Sequence, residues 1–321
     1  MTQDATAMLH RPDPASLDGE GITVCIPTYK RPDRLGLLLA DVLSQTRLPR
    51  QIVVVDNDPQ KSAQDVVAQL RQAAGTIEIL YDVQPEKNIS LTRNRAISHA
   101  SSPWIAFIDD DERAPPQWLE ALATAIVRYE ADVVLAPVDP VLPEQAPDWI
   151  RRGNFYDGPV LPTGGRVPPN QLRIGNAFMA ARLIRSVDPI FDPAYGTTGG
   201  EDGDLLLRLM QRGAVIVWSN DAGVTEPVEP ARMRLAWILK RALRGGQDFA
   251  RHFAKGRMGR PSPLQSALFY LRAAIQLCAA LLLAVLTLPR GRHRTVHWLA
   301  RACANFGKLS TLWGWHYREY A

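Results

Sequence analysis

The chain has 321 residues, 46% hydrophobic and 22% charged, which is ordinary for a globular protein with one large domain and an appendage, or with two domains. Its three cysteines, Cys25, Cys278 and Cys303, lie in apolar contexts without a C-x-x-C pair. This excludes a disulfide framework and a zinc site and indicates a reducing compartment. The net charge of +4 hides an asymmetry, because residues 229–321 carry sixteen Lys/Arg and three Asp/Glu. That tail carries +13 and leaves −9 on the rest, so we expect it to meet an anionic membrane surface or nucleic acid.

Residues 1–20 are charged, contain two prolines and have no apolar segment, so we expect a flexible arm without a secretory signal. After this arm, short apolar runs bounded by Pro or Asp predict buried strands at 22–27, 51–56, 77–81 and 104–108. Apolar spacing and capping residues predict helices from Pro32 to Leu43, from Ser62 to Ala74 and from Ser90 to Ala100. Strands and helices that alternate with short connections predict an α/β fold whose mostly parallel sheet is flanked by helices.

Three of the predicted strands end in polar clusters, at residues 27–30, 56–58 and 109–111. In a parallel sheet these ends gather at one edge, where open α/β proteins bind their ligands. No strand is followed by a G-x-G-x-x-G motif or a P-loop. The pattern therefore argues against a dinucleotide dehydrogenase and a P-loop kinase.

The strand at 104–108 leads directly into Asp109, Asp110, Asp111 and Glu112. Adjacent carboxylates repel one another and are costly to hold together without a cation. A divalent cation that is shared with a phosphate is the usual partner of such a group. A solvated acidic turn before a helix predicted at 116–129 is the alternative.

A second acidic cluster follows Gly199 and Gly200 at the start of an apolar helix, and consists of Glu201, Asp202 and Asp204. Acids interact favourably with a helix N-terminus, so capping is one explanation. Two acidic clusters beside one apolar sheet are also what acid/base chemistry next to a metal needs.

Residues 137–170 follow a strand predicted at 132–136 and are rich in Pro and Gly. A long stretch of this kind inside a domain is usually a functional loop. Its aromatic residues, Trp149, Phe155 and Tyr156, are either platforms for a sugar ring or anchors of the loop on the core.

Five short motifs follow one another along the chain. They are Ile-Pro-Thr-Tyr at 26–29, Val-Val-Asp-Asn at 54–57, Thr-Arg-Asn-Arg at 92–95, Phe-Ile-Asp-Asp-Asp at 107–111 and Gly-Glu-Asp-Gly-Asp-Leu at 200–205. In order and spacing they resemble the motifs of family 2 inverting glycosyltransferases, which have the Rossmann-like GT-A fold. The resemblance covers about residues 22–228. Residues 232–251 are similar to part of the glucosyltransferases that assemble succinoglycan-type exopolysaccharides.

The resemblance implies a UDP-sugar donor, with glucose as the sugar, and Mg²⁺ or Mn²⁺ as cofactor. It implies that Asp109 and Asp111 hold this ion against the diphosphate. The residues implied to bind the nucleotide-sugar are Pro27, Thr28, Tyr29, Asp56, Asn57, Arg93, Asp109 and Asp110. At Asn57 the sequence departs from the family, which usually has a second acid at this position.

The resemblance further implies that Asp202 is the general base that takes a proton from the acceptor hydroxyl, with Glu201 as the alternative. Attack on the anomeric carbon from the face opposite the diphosphate then inverts its configuration. The Q-x-x-R-W motif of processive synthases is missing, since Gln247 and Arg251 are one residue too far apart. We therefore expect one sugar to be added per cycle.

The basic tail contains an apolar helical face, formed by Leu235, Ile238, Leu239 and Leu243, which suits a membrane surface or a helix packed on the core. Residues 264–288 are mostly apolar, but the run from Ala273 has only sixteen residues, fewer than the roughly twenty that span a bilayer. Both flanks are basic, which disfavours a single crossing. We expect a re-entrant or in-plane hairpin with 297–315 as its second arm, and a single span at 264–288 is the alternative.

The sequence thus predicts a flexible arm at 1–20, a GT-A domain at 21–228 and a helical membrane-associating region at 229–321. The predicted function is transfer of one sugar from a UDP-sugar to a polyprenyl-diphosphate-linked oligosaccharide in cell-surface polysaccharide biosynthesis. We expect it to act at the cytoplasmic face of a bacterial inner membrane, without a nucleic-acid partner. Candidates for binding the acceptor diphosphate are Arg241, Arg244 and Arg251. The alternatives are a nucleotidyltransferase, or a non-catalytic protein whose tail binds anionic membranes or nucleic acid.

Overall fold

Short apolar segments form the strands of two sheets. The computed structural model describes residue 17 and residues 21–319, so the arm predicted at 1–20 lies almost wholly outside the described residues. The strands are β1 (Ile22–Thr28), β2 (Gln51–Asp56), β3 (Glu78–Val83), β4 (Trp104–Ile108), β5 (Val133–Leu135), β6 (Val138–Val141), β7 (Asn176–Ala180), β8 (Ile216–Trp218) and β9 (Val224–Pro227).

The central sheet has the strand order β3–β2–β1–β4–β7–β5–β8, and β6 pairs with β9 in a small separate sheet. β1 to β4 are parallel, and β8 is parallel to β5. β7 runs antiparallel to both of its neighbours. The predicted mostly parallel sheet is therefore confirmed, with one reversed strand inside it. β1, β2 and β4 are buried throughout, because helices cover both faces, and this is why they are unbroken apolar runs.

Helices flank the sheet and form the C-terminal part of the chain. Within residues 21–319 they are α1 (Pro32–Leu43), α2 (Gln64–Arg71), α3 (Ile89–His99), α4 (Trp118–Arg128), α5 (Asp148–Arg151), α6 (Ala181–Arg185), α7 (Glu201–Gln211), α8 (Leu235–Ala254), α9 (Pro263–Leu286) and α10 (Arg292–Ser310). Each predicted helix of the α/β part is present, with ends that differ by a few residues.

Two helix caps differ from the prediction. Ser62 makes no capping hydrogen bond to α2, and Asn88 rather than Ser90 caps α3, through a bond from Leu91 N to its side-chain oxygen of 3.1 Å. Asn88 is also fixed from outside the helix, because its own N–H donates to Asn57 Oδ1 at 3.0 Å. A contact of this kind, between residues far apart in the sequence, decides where the helix begins. It cannot be predicted from the residues next to the helix start alone.

The C-terminal helices pack closely, since α10 lies against both α8 and α9. Where α8 and α10 cross, glycines allow the backbones to touch. A Cβ added to Gly246 would lie 1.9 Å from the carbonyl oxygen of Ala304, and one added to Gly307 would lie 2.2 Å from that of Leu243. Two packed helices, α9 and α10, occupy the range of the predicted hairpin, and the second begins at residue 292 rather than 297.

α9 is, within the described residues, the one helix that length and composition would allow to cross a membrane. It has 24 residues, more than the sixteen-residue apolar run suggested, because the helix continues through Arg272. Many of its large apolar side chains are exposed in the monomer.

Replacing Gly246 by Ala should destabilise the protein by about 1–3 kcal/mol, because the new methyl group overlaps the backbone of α10 and forces the helices apart. The neighbouring Gly245 is the matched control, since a Cβ there meets nothing within 4 Å. Gly245→Ala should be neutral or stabilising by up to ~1 kcal/mol. Urea unfolding of both variants measures the difference, and equal stabilities would contradict the tight crossing.

Candidate active site

A cleft of about 980 Å³ opens at the carboxyl ends of β1, β2 and β4, a size within the upper range of ligand-binding sites. The start of α7, one face of α8 and parts of the long loop form its walls. The polar strand ends and the second acidic cluster all reach this cleft, at residues 27–29, 57, 109–112 and 199–203. The expected gathering of these groups at one edge is therefore observed.

Asp56 does not take the predicted place in the cleft. Its carboxylate is fully buried and accepts hydrogen bonds from the N–H groups of Asp58 (2.9 Å) and Ala63 (2.8 Å). A third bond, of 3.0 Å, comes from the Tyr81 hydroxyl. The side chain turns back into its own loop and holds the end of β2, so the implied contact between Asp56 and a nucleobase is not available in this structure.

Asn57 lines the cleft, and its side chain fixes the neighbouring segment. Its Nδ2 donates to the carbonyl oxygens of Gln84 (2.8 Å) and Glu86 (2.6 Å), while Oδ1 accepts from Asn88 N. An aspartate could not donate the first two bonds. The asparagine at this position therefore has a structural role, because its side chain holds residues 84–88 in place.

Pro27, Thr28 and Tyr29 line the cleft where β1 ends. Two lysines flank the Tyr29 ring, with the Nζ of Lys30 at 5.3 Å and that of Lys87 at 5.1 Å from its centroid. An aromatic face between two cations suits a flat base that carries phosphates.

Asp110 joins the ends of β1 and β4. Its carboxylate accepts hydrogen bonds from the Thr28 hydroxyl (2.8 Å), the Tyr29 N–H (3.3 Å) and Arg31 Nη1 (3.0 Å). Burial raises the pKa of Asp110 to about 6, although Arg31 acts in the opposite direction. The carboxylate therefore helps to shape the wall around Tyr29 as well as facing the cleft.

The other two aspartates of the acidic run differ in exposure. The Asp109 side chain is 38% exposed and pairs with Arg93 Nη2 at 3.1 Å. Asp111 is 6% exposed, and its Oδ2 lies 2.9 Å from Arg31 Nη1 and 2.9 Å from Arg232 Nη2. Desolvation raises the pKa of Asp109, and the charge of Asp111 adds to this effect. Repulsion among these acids is thus offset by arginines from distant parts of the chain.

In the described part of the chain, no three His, Cys, Asp or Glu side chains are arranged to hold a metal ion by themselves. Asp109 and Asp111 nevertheless line the cleft and offer hard carboxylate oxygens. Mg²⁺ is commonly held by one or two carboxylates with substrate phosphates and water completing its shell. These residues therefore fit an ion that binds together with a diphosphate, and do not fit a site built by protein alone.

Arg93, on α3, connects the two acidic clusters. Its Nη1 donates to Glu201 Oε1 in a short contact, and its Nη2 donates to Asp109 Oδ1. Burial raises the pKa of Glu201 to about 7, an effect that Arg93 opposes and Asp202 reinforces. The sequence placed Arg93 at the nucleotide site, and the structure places it between that site and the second cluster.

The geometry distinguishes the two candidate bases. Glu201 is buried and engaged by Arg93. Asp202 is half-buried at the cleft wall, where its Oδ1 accepts a 2.7 Å bond from Gly203 N. Asp202 is therefore the more accessible of the two carboxylates, and Glu201 is paired with Arg93.

Two of the three predicted acceptor-binding arginines line the cleft, namely Arg241 and Arg244. Arg251 does not belong to this group, which corrects the prediction. Its guanidinium donates to the Thr198 hydroxyl at 2.6 Å and lies 3.9 Å from the centroid of the Tyr195 ring. It anchors α8 on the segment before α7.

The cleft also contains charged residues that the sequence did not single out for this site. They are Arg31, Lys87, Arg173, Glu226, Glu229, Arg232, Asp248 and Glu319. Long arginine side chains reach the cleft from loops and from the tail, so their sequence positions carry no periodic or motif signal. Arg232 was visible only as part of the basic excess of the tail.

The aromatic residues of the long loop serve mainly as anchors. Trp149 packs on Phe155 with ring centroids 5.7 Å apart, and Tyr156 packs on Trp237 at 5.8 Å. The Tyr156 hydroxyl also donates to the carbonyl oxygen of Arg232 at 3.0 Å. Of the three candidate platforms, Phe155 alone lines the cleft.

A family model for glycosyl transferase family 2 matches residues 23–190, more than half of the chain. The chain is also 32% identical over 298 residues to the succinoglycan biosynthesis protein ExoM of Rhizobium meliloti, covering 91% of this chain and 93% of that protein. The glycosyltransferase AglE of Haloferax volcanii is 25% identical over 228 residues, covering 70% of this chain and 72% of that protein.

Solved structures share the fold. The mannosyltransferase PcManGT of Pyrobaculum calidifontis, in complex with GDP-Man and Mn²⁺, has a TM-score of 0.61 at 18% identity, over 96% of this chain and 89% of that chain. TarS 1-349 of S. aureus, in complex with UDP-GlcNAc, has a TM-score of 0.53 at 18% identity, over 93% of each chain.

The fold and cleft thus define a glycosyltransferase of the GT-A class. The chain belongs to glycosyltransferase family 2, as the five motifs indicated. The two alternative functions, a nucleotidyltransferase and a non-catalytic binding protein, are therefore set aside.

Replacing Arg93 by Met should destabilise the protein by about 3 kcal/mol, because Glu201 and Asp109 lose their shared cation and Glu201 stays buried. Arg95 lies on the same helix and pairs with Asp82 at a partly exposed site. Arg95→Met should cost at most ~1 kcal/mol. The free energies of unfolding in urea compare the two variants, and equal losses would contradict the central role of Arg93.

Proposed function

We propose that this enzyme transfers a single glucose from UDP-glucose, with inversion, to a polyprenyl-diphosphate-linked oligosaccharide during exopolysaccharide biosynthesis. The observation that carries the proposal is the arrangement of Asp202 and the Asp109–Asp111 run in one cleft, joined through Arg93 and Glu201. The name of the Rhizobium meliloti relative supports the polysaccharide class. UDP-GlcNAc in a structural neighbour supports a nucleotide-sugar donor.

In this proposal, Tyr29 with Lys30 and Lys87 forms the nucleotide end of the cleft. Asp109 and Asp111 would hold Mg²⁺ or Mn²⁺ against the donor diphosphate. When bound, the ion offsets the negative charge that develops on the leaving UDP. Arg93 keeps Asp109 in place at the same time.

The chemical step uses Asp202. Its carboxylate accepts the proton of an acceptor hydroxyl while that oxygen attacks the anomeric carbon. The new bond joins the acceptor oxygen to this carbon, and the bond from the carbon to the diphosphate oxygen breaks on the opposite face. The electron pair leaves with UDP, and the configuration of the sugar is inverted.

Arg241 and Arg244 are the proposed contacts of the acceptor diphosphate. Both line the cleft on α8, and Arg173 lies near enough to Arg241 to help lower its pKa to about 10. Desolvation is the larger cause of that shift, followed by the charge of Arg244. A group of guanidiniums that mutually repel favours a bound anion, and phosphate suits their fork geometry.

A membrane location is proposed for the C-terminal helices. α9 exposes an apolar stripe, formed by Leu264, Leu268, Leu271, Ile275, Leu282 and Leu286. Trp313 is 70% exposed and Trp315 is 50% exposed, and such rings suit the bilayer interface. Arginines beyond both ends of α9 would contact anionic headgroups, at positions 260, 290, 292 and 294. We propose that these helices lie in the cytoplasmic leaflet of the bacterial inner membrane as an in-plane hairpin.

Asp202→Asn should lower transfer by about 10²–10⁴-fold, because the amide cannot accept the proton and general base catalysis contributes about this much to the rate. Binding of UDP with Mn²⁺, measured by thermal shift, should be unchanged. Asp221→Asn, on an exposed turn, is the matched control and should keep full activity. Retained turnover in Asp202→Asn would remove this residue from the role of base.

Leu271→Asp combined with Ile275→Asp should weaken binding to phosphatidylglycerol vesicles by at least about tenfold, since two charges replace buried apolar area. Val127→Asp, at an exposed apolar position of α4, is the control and should bind normally. Alkaline carbonate should release the wild-type protein from membranes. Resistance to carbonate would instead favour the single span at 264–288.

A further inference from the structure

Asp248 is an acidic residue in an otherwise basic helix, and the reaction described above does not use it. Within α8 it is the one Asp or Glu. It lies one helical turn beyond Arg244 and lines the cleft together with Asp202. Within residues 21–319 its carboxyl group has no protein hydrogen bond, and it faces the cleft in the field of Arg244 and Arg251.

Backbone geometry brings Asp248 against the start of α7. Gly200 has φ +93°, a conformation that favours glycine. A Cβ at Gly200 would lie 3.0 Å from Asp248 Oδ1, so the absence of a side chain lets the carboxyl approach. His252, one turn further along α8, fixes this contact, because its Nε2 lies 3.0 Å from the carbonyl oxygen of Gly200. The position of Asp248 next to Asp202 is therefore built into the packing of two helices.

The position carries an electrostatic cost. Desolvation raises the pKa of Asp248 to about 7. Asp202 and Glu201 on α7 raise it further, while Arg244 and Arg251 on α8 oppose the shift. A polar group in such a place is stabilised when a ligand supplies its missing hydrogen bonds.

The surroundings of Asp248 favour the acceptor over the donor. On the donor side, Asp110 and Asp111 already contact Arg31, and Arg232 covers Asp111. Asp248 lies instead beside the base and on the helix that carries Arg241 and Arg244, the proposed contacts of the acceptor. A sugar held there offers hydroxyl groups, which donate to carboxylate oxygens.

We infer that Asp248 binds a second hydroxyl group of the acceptor sugar while Asp202 takes the proton from the first, so that the two carboxyl groups together select the acceptor. This inference rests on the proposed function. It predicts that the acceptor sugar must keep a free hydroxyl group near the one that is glycosylated. A site built to hydrogen-bond a hydroxyl rejects analogues that lack it far more strongly than an apolar site does.

The test compares wild type, Asp248→Asn, Asp248→Glu and the exposed control Asp221→Asn. The donor is UDP-glucose with Mn²⁺, and the acceptor is the lipid fraction of a strain that lacks this gene, in which the unmodified acceptor accumulates. Asp248→Asn should raise the KM for the lipid fraction at least tenfold. The KM for UDP-glucose and its slow hydrolysis in the absence of acceptor should stay within twofold of wild type. Asp248→Glu should recover part of the loss, and the control should behave as wild type.

The outcomes separate the two proposals. If wild type transfers glucose and Asp248→Asn leaves the KM of the lipid fraction unchanged, or raises the KM of UDP-glucose instead, the role of Asp248 is refuted and the proposed function stands. If wild type neither hydrolyses UDP-glucose nor transfers it to the lipid fraction, the proposed function fails and this inference fails with it.

The thermal midpoint of Asp248→Asn checks its folding. The raised pKa means that wild type loses stability as the pH rises through about 7. The variant should therefore melt higher than wild type at pH 8 and similarly at pH 5. A variant that melts lower at both values would be a folding defect, and Asp248→Glu would then decide the acceptor effect.

Discussion

The ion-pair bridge made by Arg93 is the interaction on which the cleft depends. Its guanidinium binds Asp109, directly after β4, and Glu201, the first residue of α7. Glu201 lies 108 positions after Arg93 in the sequence. Acids brought together at one sheet edge would repel one another without it. A planar fork with several donors can serve two carboxylates at fixed angles, whereas a lysine ammonium acts as a single point charge. The bridge thus sets the relation between the acidic run after β4 and the acidic cluster at the start of α7.

The same pairing of arginines with acids explains part of the charge asymmetry between residues 1–228, which are acidic, and residues 229–321, which are basic. Arg232 binds Glu226 and Asp111, and Arg257 binds the buried Asp204 at 2.7 Å. Lys255 pairs with Asp192. The basic excess of the tail therefore does not face outward as a whole, because several of its cations neutralise the acidic body. Those that remain on the flanks of α9 are the ones available to an anionic surface.

The sequence predicted the sheet edge from the apolar runs and the acids that end them, and most of the site residues that the family resemblance implied do line the cleft. It could not predict side-chain direction at the strand ends. Asp56 turns into its own loop, and nothing in Val-Val-Asp-Asn distinguishes that orientation from one toward a ligand. The antiparallel direction of β7 could not be predicted either, because the sequence of a buried apolar strand does not indicate which way the strand runs in the sheet. Arg251 was misplaced because its side chain turns to Thr198 and Tyr195, and the sequence does not contain that tertiary contact.

α8 links the cleft to the C-terminal helices α9 and α10. One side of this helix presents Arg241, Arg244 and Asp248 to the cleft. Another side meets α10 through Gly246, at a distance that leaves no room for sliding or for an intervening side chain. α10 in turn carries α9 and its exposed apolar stripe. In the proposed membrane-bound state, the depth of α9 in the leaflet therefore fixes the height of the acceptor-binding face of α8. A lipid-linked acceptor, whose diphosphate cannot leave the headgroup layer, would then meet the arginines and Asp248 without a separate movement of the catalytic part.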